Sequence, residues 1–351
     1  MMKKRPLPKK PSFNFKMPAL NSVDKSALLA LIGKIQRKKI VVIGDVMLDV
    51  YIKGTVARIS PEAPIPVVEI NEKDKKMPGG AANVAANVTA LGGQSTIIGA
   101  MGRDAAGREL AAELKALKVD TSGLLALPDR PTTEKTRVIA NTQQVVRIDR
   151  EVKSALTEKQ QDLVIQKALT AMKDADGVIF EDYNKGLLTP RVIGKIVSYA
   201  KKHKKIITVD PKFHNFFEFK GVTVMKPNMK EVTEALGTEA VGESFESIGF
   251  KVMKRLNCQS VVLTRSEHGM TIFERNQAPR TIPTVAREVY DVSGAGDTVI
   301  ATLTLALAAG ATLLQAAGLA NYAAGIEVEK LGVATVSAEE LGQRLIEELN
   351  R

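Results

Sequence analysis

Lys39-Ile-Val-Val-Ile43 runs into Gly44-Asp-Val-Met-Leu-Asp49, and this stretch decides the fold. An apolar, β-branched run too short for a helix and closed by glycine reads as a strand buried on both faces. Downstream, apolar strand-length runs at 95–99, 177–180, 206–209, 222–225 and 260–263 alternate with helical patterns. The helical patterns cover 79–91, 105–117, 160–172, 192–200, 229–236, 245–256, 294–309, 313–328 and 338–349. Strands alternating with helices predict an α/β fold with a mostly parallel central sheet covered on both faces. Two segments break the rhythm. Residues 50–70 carry Pro61, Pro64 and Pro66 among β-branched residues, and 132–149 are Thr- and Val-rich without a helical period. Both read as antiparallel strands outside the main sheet, forming a small β-sheet lid over a cleft.

The composition narrows the function classes. Of 351 residues, 44% are hydrophobic and 25% charged, which excludes disordered, collagenous and disulfide-scaffold chains. The single cysteine, Cys258, cannot form an internal disulfide and fits a cytoplasmic protein. No run of about 18 apolar residues occurs, so no membrane helix is expected, and no apolar signal core follows the basic N-terminus. Residues 1–22 carry six Lys or Arg, no acid and four prolines, which predicts a disordered basic tail before a single domain over 23–351. Such a tail can serve as a nucleic-acid arm. With aromatics at 4% and no Trp, few residues could stack on bases, so no nucleic-acid partner is expected.

The segment richest in chemistry is Asp291-Val-Ser-Gly-Ala-Gly-Asp-Thr298, ahead of the apolar helix. Gly294, Ala295 and Gly296 let backbone N–H groups approach a ligand closely at a helix N-terminus, where the helix dipole favours an anion such as a phosphate. Asp297 then lies where a general base for a hydroxyl nucleophile is wanted. Taken alone, the motif reads first as an N-cap Asp after a glycine turn. A P-loop, a protein-kinase motif set and a dinucleotide glycine fingerprint are all missing. Pro78-Gly79-Gly80-Ala-Ala-Asn83 opens a second helix. Gly79 and Gly80 permit close backbone approach, and the Asn83 amide suits a sugar hydroxyl. Asp45 and Asp49 follow the first strand, where α/β sheets bind ligands. They read either as acceptors for sugar hydroxyls or as solvated loop acids.

In this order, Gly79-Gly80 with Asn83, Asn228-Met-Lys-Glu231, Thr264-Arg-Ser-Glu-His-Gly269 and Asp291 to Asp297 resemble the ribokinase-like (PfkB) carbohydrate kinases. The resemblance spans roughly 38–345. Within that family, the likeness is greatest to kinases of D-glycero-D-manno-heptose 7-phosphate. It is carried also by Arg58-Ile-Ser-Pro-Glu-Ala-Pro-Ile-Pro66, Asn141-Thr-Gln-Gln144 and Asp210-Pro-Lys212.

The resemblance implies an ATP- and Mg²⁺-dependent enzyme that phosphorylates the anomeric hydroxyl and yields a heptose 1,7-bisphosphate for ADP-heptose and lipopolysaccharide core synthesis. Asp297 would be the base, with Gly294, Ala295 and Gly296 around the transferring phosphoryl. Asn228 and Glu231 would organise Mg²⁺, and a monovalent cation such as K⁺ would sit near Asp291. Thr264, Ser266 and Gly269 would line the nucleotide site, with Asn321 near the adenine. Asp45, Asp49, Gly79, Gly80, Asn83 and Asn141 would serve the sugar. Arg137, Arg147, Lys185 and Lys212 lie in or near the cleft segments and are candidates for its phosphate; each alone reads equally as a surface ion-pair partner. Many relatives fuse this kinase to a nucleotidyltransferase domain with an H-x-G-H motif. His203, His214 and His268 form no such motif, so a stand-alone kinase is expected, as a homodimer with Val67, Val68 and Ile70 at the interface. Other readings are a kinase of the same fold for another sugar, or a catalytically silent sugar or nucleotide sensor.

Overall fold

The computed structural model describes residues 24–141, 143–330 and 332–350. The predicted tail therefore lies outside the described residues. The main sheet contains β1 (Lys39–Gly44), flanked on one side by β5 (Gln94–Gly102) and β6 (Asp120–Leu127). On its other side follow β9 (Gly177–Glu181), β10 (Ile206–Asp210), β11 (Val224–Met225), β12 (Ser260–Thr264), β13 (Met270–Glu274) and β14 (Arg280–Ile282). All pairs from β6 to β12 are parallel; β13 and β14 close the edge as antiparallel strands.

Burial explains why β1 is a continuous apolar run. Ile40 and Val42 point into one core, Val41 and Ile43 into the other. Alternation across a strand buried on both faces demands an apolar residue at every position. The first core is covered by α1 (Lys25–Ile35), α2 (Ala81–Ala90), α3 (Ala105–Ala116), α8 (Ala295–Ala308), α9 (Leu313–Glu327) and α10 (Ala338–Leu349). The second is covered by α4 (Glu158–Ala171), α5 (Pro190–Lys202), α6 (Met229–Leu236) and α7 (Phe245–Leu256). Every residue of α8 from Asp297 to Ala306 is buried, so this helix is apolar nearly all round.

The second sheet is built from β2 (Val46–Ile59), β3 (Pro66–Ile70), β4 (Lys75–Gly80), β7 (Thr133–Ala140) and β8 (Gln143–Arg150). It departs from the sequence reading in one respect: β2 and β7 pair parallel, while the remaining pairs are antiparallel. The chain leaves β4 for the main sheet and returns only at β7. A long excursion of this kind permits a parallel pairing that no tight turn could make. Sequence reading also misses α1, β4, β6, β13 and β14, and it starts α2 too early. Gly79 and Gly80 end β4, where a Cβ on Gly79 would lie 2.1 Å from Asp49 Oδ2.

Candidate active site

The strand register sets the chemistry at one sheet edge. Gly44 pairs with Glu181, Glu181 with Asp210, and Val209 with Met225, so Glu181, Asp210 and Lys226 emerge side by side. Open α/β sheets bind ligands beyond such carboxyl ends. A cleft of about 550 Å³ opens there, and Lys212, Asn228, Glu231, Thr264, Ser266 and Gly269 line its wall. Gly294, Ala295, Gly296 and Asp297 at the start of α8, and Asn321 of α9, complete it. A larger groove of about 1040 Å³ lies at the opposite end of the sheet, where β1, β5 and β6 begin, far from these groups.

Gly294 adopts φ +101° as the residue preceding α8, and no side chain caps the helix. Its first N–H groups are thus left to a ligand rather than to an Asp or Ser. The alternative of Asp297 as an N-cap is excluded, because it stands inside the first turn. Its Oδ2 accepts from Asn83 Nδ2 at 2.7 Å and its Oδ1 from the Tyr183 hydroxyl at 3.3 Å. Asn83 is held in turn by Asn87 Nδ2 at 3.2 Å. Burial pushes the Asp297 carboxyl up to about 7, and the nearby Asp210 adds to the rise against the Asn83 bond. A base near neutrality suits proton removal from a hydroxyl at physiological pH.

The cations are fixed by acids. Lys226 Nζ lies 2.7 Å from Asp210 Oδ2, with both side chains buried. Lys212 bonds Glu231 and stands 5.1 Å above the Tyr183 ring. Burial opposes the charge of Lys212, but Asp210 and Glu231 outweigh it and hold the ammonium above its usual range. Asn228 caps α6 in a reciprocal box: its Oδ1 accepts from Glu231 N at 2.9 Å, and Glu231 Oε2 accepts from Asn228 N at 2.9 Å. These two residues therefore already have structural work. The oxygens left over are on the strand ends: Glu181 Oε2 and Asp210 Oδ1 are buried without a partner. Hard oxygen donors of this kind fit Mg²⁺. Asp291 accepts from Ser293 N at 2.9 Å through Oδ1, and the buried Glu327 nearby has both carboxylate oxygens unpartnered.

The residues expected at the sugar gather less tightly. Asp45 is not an open acceptor. Its carboxylate takes backbone N–H bonds from Tyr183 at 2.9 Å, Lys185 at 3.0 Å and Leu187 at 3.4 Å, so it shapes the loop after β9. Asp49 is buried and bonded by Arg137, whose guanidinium also lies 5.2 Å from the Tyr51 ring centre. The Lys185 ammonium pairs with Glu151, beside Lys135. Arg147 pairs with Asp149 on the exposed strand β8. Asn141 is exposed, at φ +56°, at the turn after β7. The register aligns Met47 with Thr133 and Gly54 with Ala140, which sets Asn141 about 25 Å along the strands from the Asp45 end. It is not part of the cleft of this chain. Asn321 donates to Pro283 O at 2.7 Å, tying α9 to the loop after β14. Sequence reading missed Glu181, Tyr183, Lys226 and Glu327. The first three stand at or just after the ends of parallel strands, a position that could have marked them.

A profile of the pfkB family carbohydrate kinases matches residues 37–340. The chain belongs to this family. It is 46% identical over 306 residues to the bifunctional protein HldE of Caulobacter vibrioides, covering 87% of this chain and 62% of that protein. Its identity to the bifunctional protein HldE of Desulfatibacillum aliphaticivorans is 43% over 308 residues, covering 88% and 63%. The chain thus spans less than two thirds of the length of these relatives. Among solved structures, phosphofructokinase-2 from Escherichia coli in complex with substrates and products superposes with a TM-score of 0.73 at 18% identity, covering 90% of this chain and all of that one. Ribokinase of Arabidopsis thaliana complexed with ribose and ATP gives 0.69 at 19%, covering 88% and 99%. These likenesses show that the PfkB chain described here has a ribokinase-like fold. Among the described residues, no helix is long and apolar enough to cross a membrane.

Proposed function

We propose that this chain transfers the γ-phosphoryl group of ATP to the anomeric hydroxyl of D-glycero-D-manno-heptose 7-phosphate. The product is a heptose 1,7-bisphosphate, a precursor of ADP-heptose and the lipopolysaccharide core. The observation that carries the reaction type is Asp297: a buried carboxylate in the first turn of an uncapped helix, oriented by Asn83 and Tyr183 and facing a cleft lined by Lys212 and Lys226. Asp297 takes the proton of the attacking hydroxyl. The N–H groups of α8 and the two ammonium groups neutralise charge on the transferring phosphoryl, since this chemistry is mainly positioning and electrostatics. Asn228, Glu231 and Asp210 would hold a Mg²⁺ accompanying the nucleotide, which would supply further charge neutralisation. The heptose assignment rests on the quoted motifs, on Arg137 and Lys135 of β7, and on Lys185 in the loop after β9.

The small sheet acts in this reading as a lid and as a dimer contact. Ile59, Ile65, Ile70, Val145, Val146 and Ile148 are all exposed on it. An apolar patch of this size on an edge-bearing sheet favours a homodimer across that face. Ile70 is 60% exposed, while Val67 and Val68 are half-buried against the sheet. The test is ATP consumption with a panel of heptose 7-phosphate, free heptose, ribose and fructose phosphates. The heptose phosphate should have the highest kcat/KM. Preference for another sugar would replace the substrate and keep the kinase, and no ATP consumption with any sugar would favour a silent binding protein.

A further inference from the structure

The proposed transfer gives Asn83 the task of orienting the base, and the residue behind it has no task yet. Asn87 stands four positions on along α2, is 0% exposed, and lies behind the cleft wall rather than on it. A buried amide on a helix of Ala and Val costs stability unless its polar atoms meet partners. Here every one does. Asn87 Nδ2 donates to Asn83 O at 3.1 Å and to Asn83 Oδ1 at 3.2 Å. Its Oδ1 accepts from Thr298 Oγ1 at 3.2 Å and from Val336 N at 3.4 Å. A side-chain amide has two donor hydrogens and two acceptor lone pairs, so its capacity is filled.

Two of these partners are backbone groups, and they settle which way the amide stands. The Val336 N–H can only donate and the Asn83 C=O can only accept, so the oxygen of Asn87 must meet the first and its nitrogen the second. Turned over, the amide would set donor against donor and acceptor against acceptor. The polarity passes on to Asn83. Its Oδ1 is claimed by Asn87, which leaves its nitrogen for Asp297, and Nδ2 donates to Asp297 Oδ2 at 2.7 Å. The anchors come from distant parts of the chain. Thr298 directly follows the base in α8, and Val336 precedes Ser337, the cap of α10. A Cβ on Gly294 would lie 3.1 Å from Asn83 Nδ2, so the same amide also borders the residue ahead of α8.

We propose that Asn87 is a positioning residue for phosphoryl transfer: it locks the Asn83 amide with its nitrogen toward Asp297 and so sets the plane of the base. This rests on the reading of Asp297 as that base. Asn83 alone does not fix its own direction, because the two ends of an amide are alike in shape. With Oδ1 released, the Asn83 side chain is free to turn its oxygen toward Asp297, where two acceptors repel and the carboxylate shifts. A misplacement of about 1 Å at reacting groups can cost about 10²-fold in rate. The bond from Val336 also ties the direction of the base to the segment ahead of α10, remote from either substrate.

The test has one arm without substrate and one with it. In the full chain labelled with ¹⁵N at asparagine, the Asn83 side-chain resonances are identified by their loss in Asn83→Ala. They should shift when Asp297→Asn removes the carboxylate, and in an Asn87→Leu background that response should be largely lost. Asn87→Asp keeps the shape and the acceptors for Thr298 and Val336 but has no N–H for Asn83, so it should give the same loss and serves where the leucine variant does not melt cooperatively. In the kinetic arm, Asn87→Leu should lower kcat by up to about 10²-fold with KM for ATP within about twofold. Added to Asn83→Ala, it should lower kcat no further, since the two act through one bond to the base. An Asn83 signal that answers Asp297→Asn equally with and without Asn87, or kcat losses that simply multiply in the double variant, overturns the positioning role. A parent chain that consumes no ATP with any sugar would sink the kinase reading instead, and the spectra would still decide whether Asn87 directs Asn83.

Discussion

The two sheets carry their site residues differently. At the carboxyl end of the main sheet, Asp210, Lys226, Asn228, Glu231 and Asp297 stand at strand ends or at the starts of helices. Both halves are tied across the chain: Asn83 bonds Asp297 over 214 positions in the cleft, and Arg137 bonds Asp49 over 88 on the small sheet. The main-sheet half is buried within this chain, whereas β8 is exposed along its whole length. The phosphate half is thus preorganised and buried within this chain, and the sugar half lies beside a sheet with one apolar face uncovered.

The contrast predicts its largest effect at Asp297. Asp297→Asn should lower turnover by about 10²–10⁴ while ATP binding and the melting profile stay close to the parent, because loss of a general base costs that much. Steady-state kinetics with the preferred sugar reads this directly. A variant that keeps near-parent kcat would show that the preorganised half does not contain the base.

The uncovered face gives the next test. Ile148 is 57% exposed on β8. Ile148→Asp should leave each chain folded but reduce the light-scattering mass from a dimer to a monomer, since a buried charge at an apolar contact is costly. Sugar KM should rise with the loss of the second chain. A parent protein that is monomeric and fully active at nanomolar concentration would mean that the face needs no partner.

Legibility in the sequence follows the same divide. β1 was readable because burial on both faces forces a continuous apolar run, and α6, α7 and α10 were readable to the residue because their apolar spacing is helical throughout. The glycine segment before α8 was readable because three small residues ahead of an apolar helix have few other uses. Glu181 and Lys226 were not singled out, since a lone acid or lysine after a strand looks like a solvated loop residue until the register sets them side by side. Asp45 was misread for the opposite reason: its composition allows a ligand, but three backbone N–H groups claim it first. Asn141 belonged to a quoted motif, yet motif membership fixes no distance, and the hairpin carries it away from the cleft.

Two lysines sharpen the comparison. Lys185 stands with Glu151 and Lys135 on the small-sheet side, whereas Lys212 stands in the cleft on Glu231. A charge-assisted hydrogen bond of roughly 1.5–3 kcal/mol corresponds to about a 10–150-fold change in binding. Lys185→Ala should therefore raise KM for the sugar phosphate by about that factor, with a smaller change for unphosphorylated sugar. Lys212→Ala should act mainly on KM for ATP. If the two variants exchanged effects, the division into a sugar half and a phosphate half would be wrong.

The smallest effect belongs to Glu327, which lies where the halves meet. A Cβ on Gly294 would come 3.0 Å from its Oε1, and both of its carboxylate oxygens are buried without partners. Burial, then the charges of Asp297 and Asp291, lift its carboxyl from 4.5 to about 8. The folded chain therefore binds this proton more tightly than the unfolded chain. Below about pH 4.5 both states are protonated, and the stabilising contribution is fully present. Between about 4.5 and 8 the unfolded state ionises while the folded state does not, so stability drains as pH rises, and above 8 the loss is complete. Glu327→Gln keeps the shape of the protonated acid and cannot ionise. Its melting temperature should match the parent near pH 5 and exceed it by a few degrees at pH 8–9, since 1 kcal/mol moves Tm by at most about 2–4 °C in a chain of this size. Differential scanning fluorimetry across that range reads the gap. A gap that stays constant with pH would mean that Glu327 is already ionised and matched in the folded chain, and that the junction between the two halves holds a cation rather than a proton.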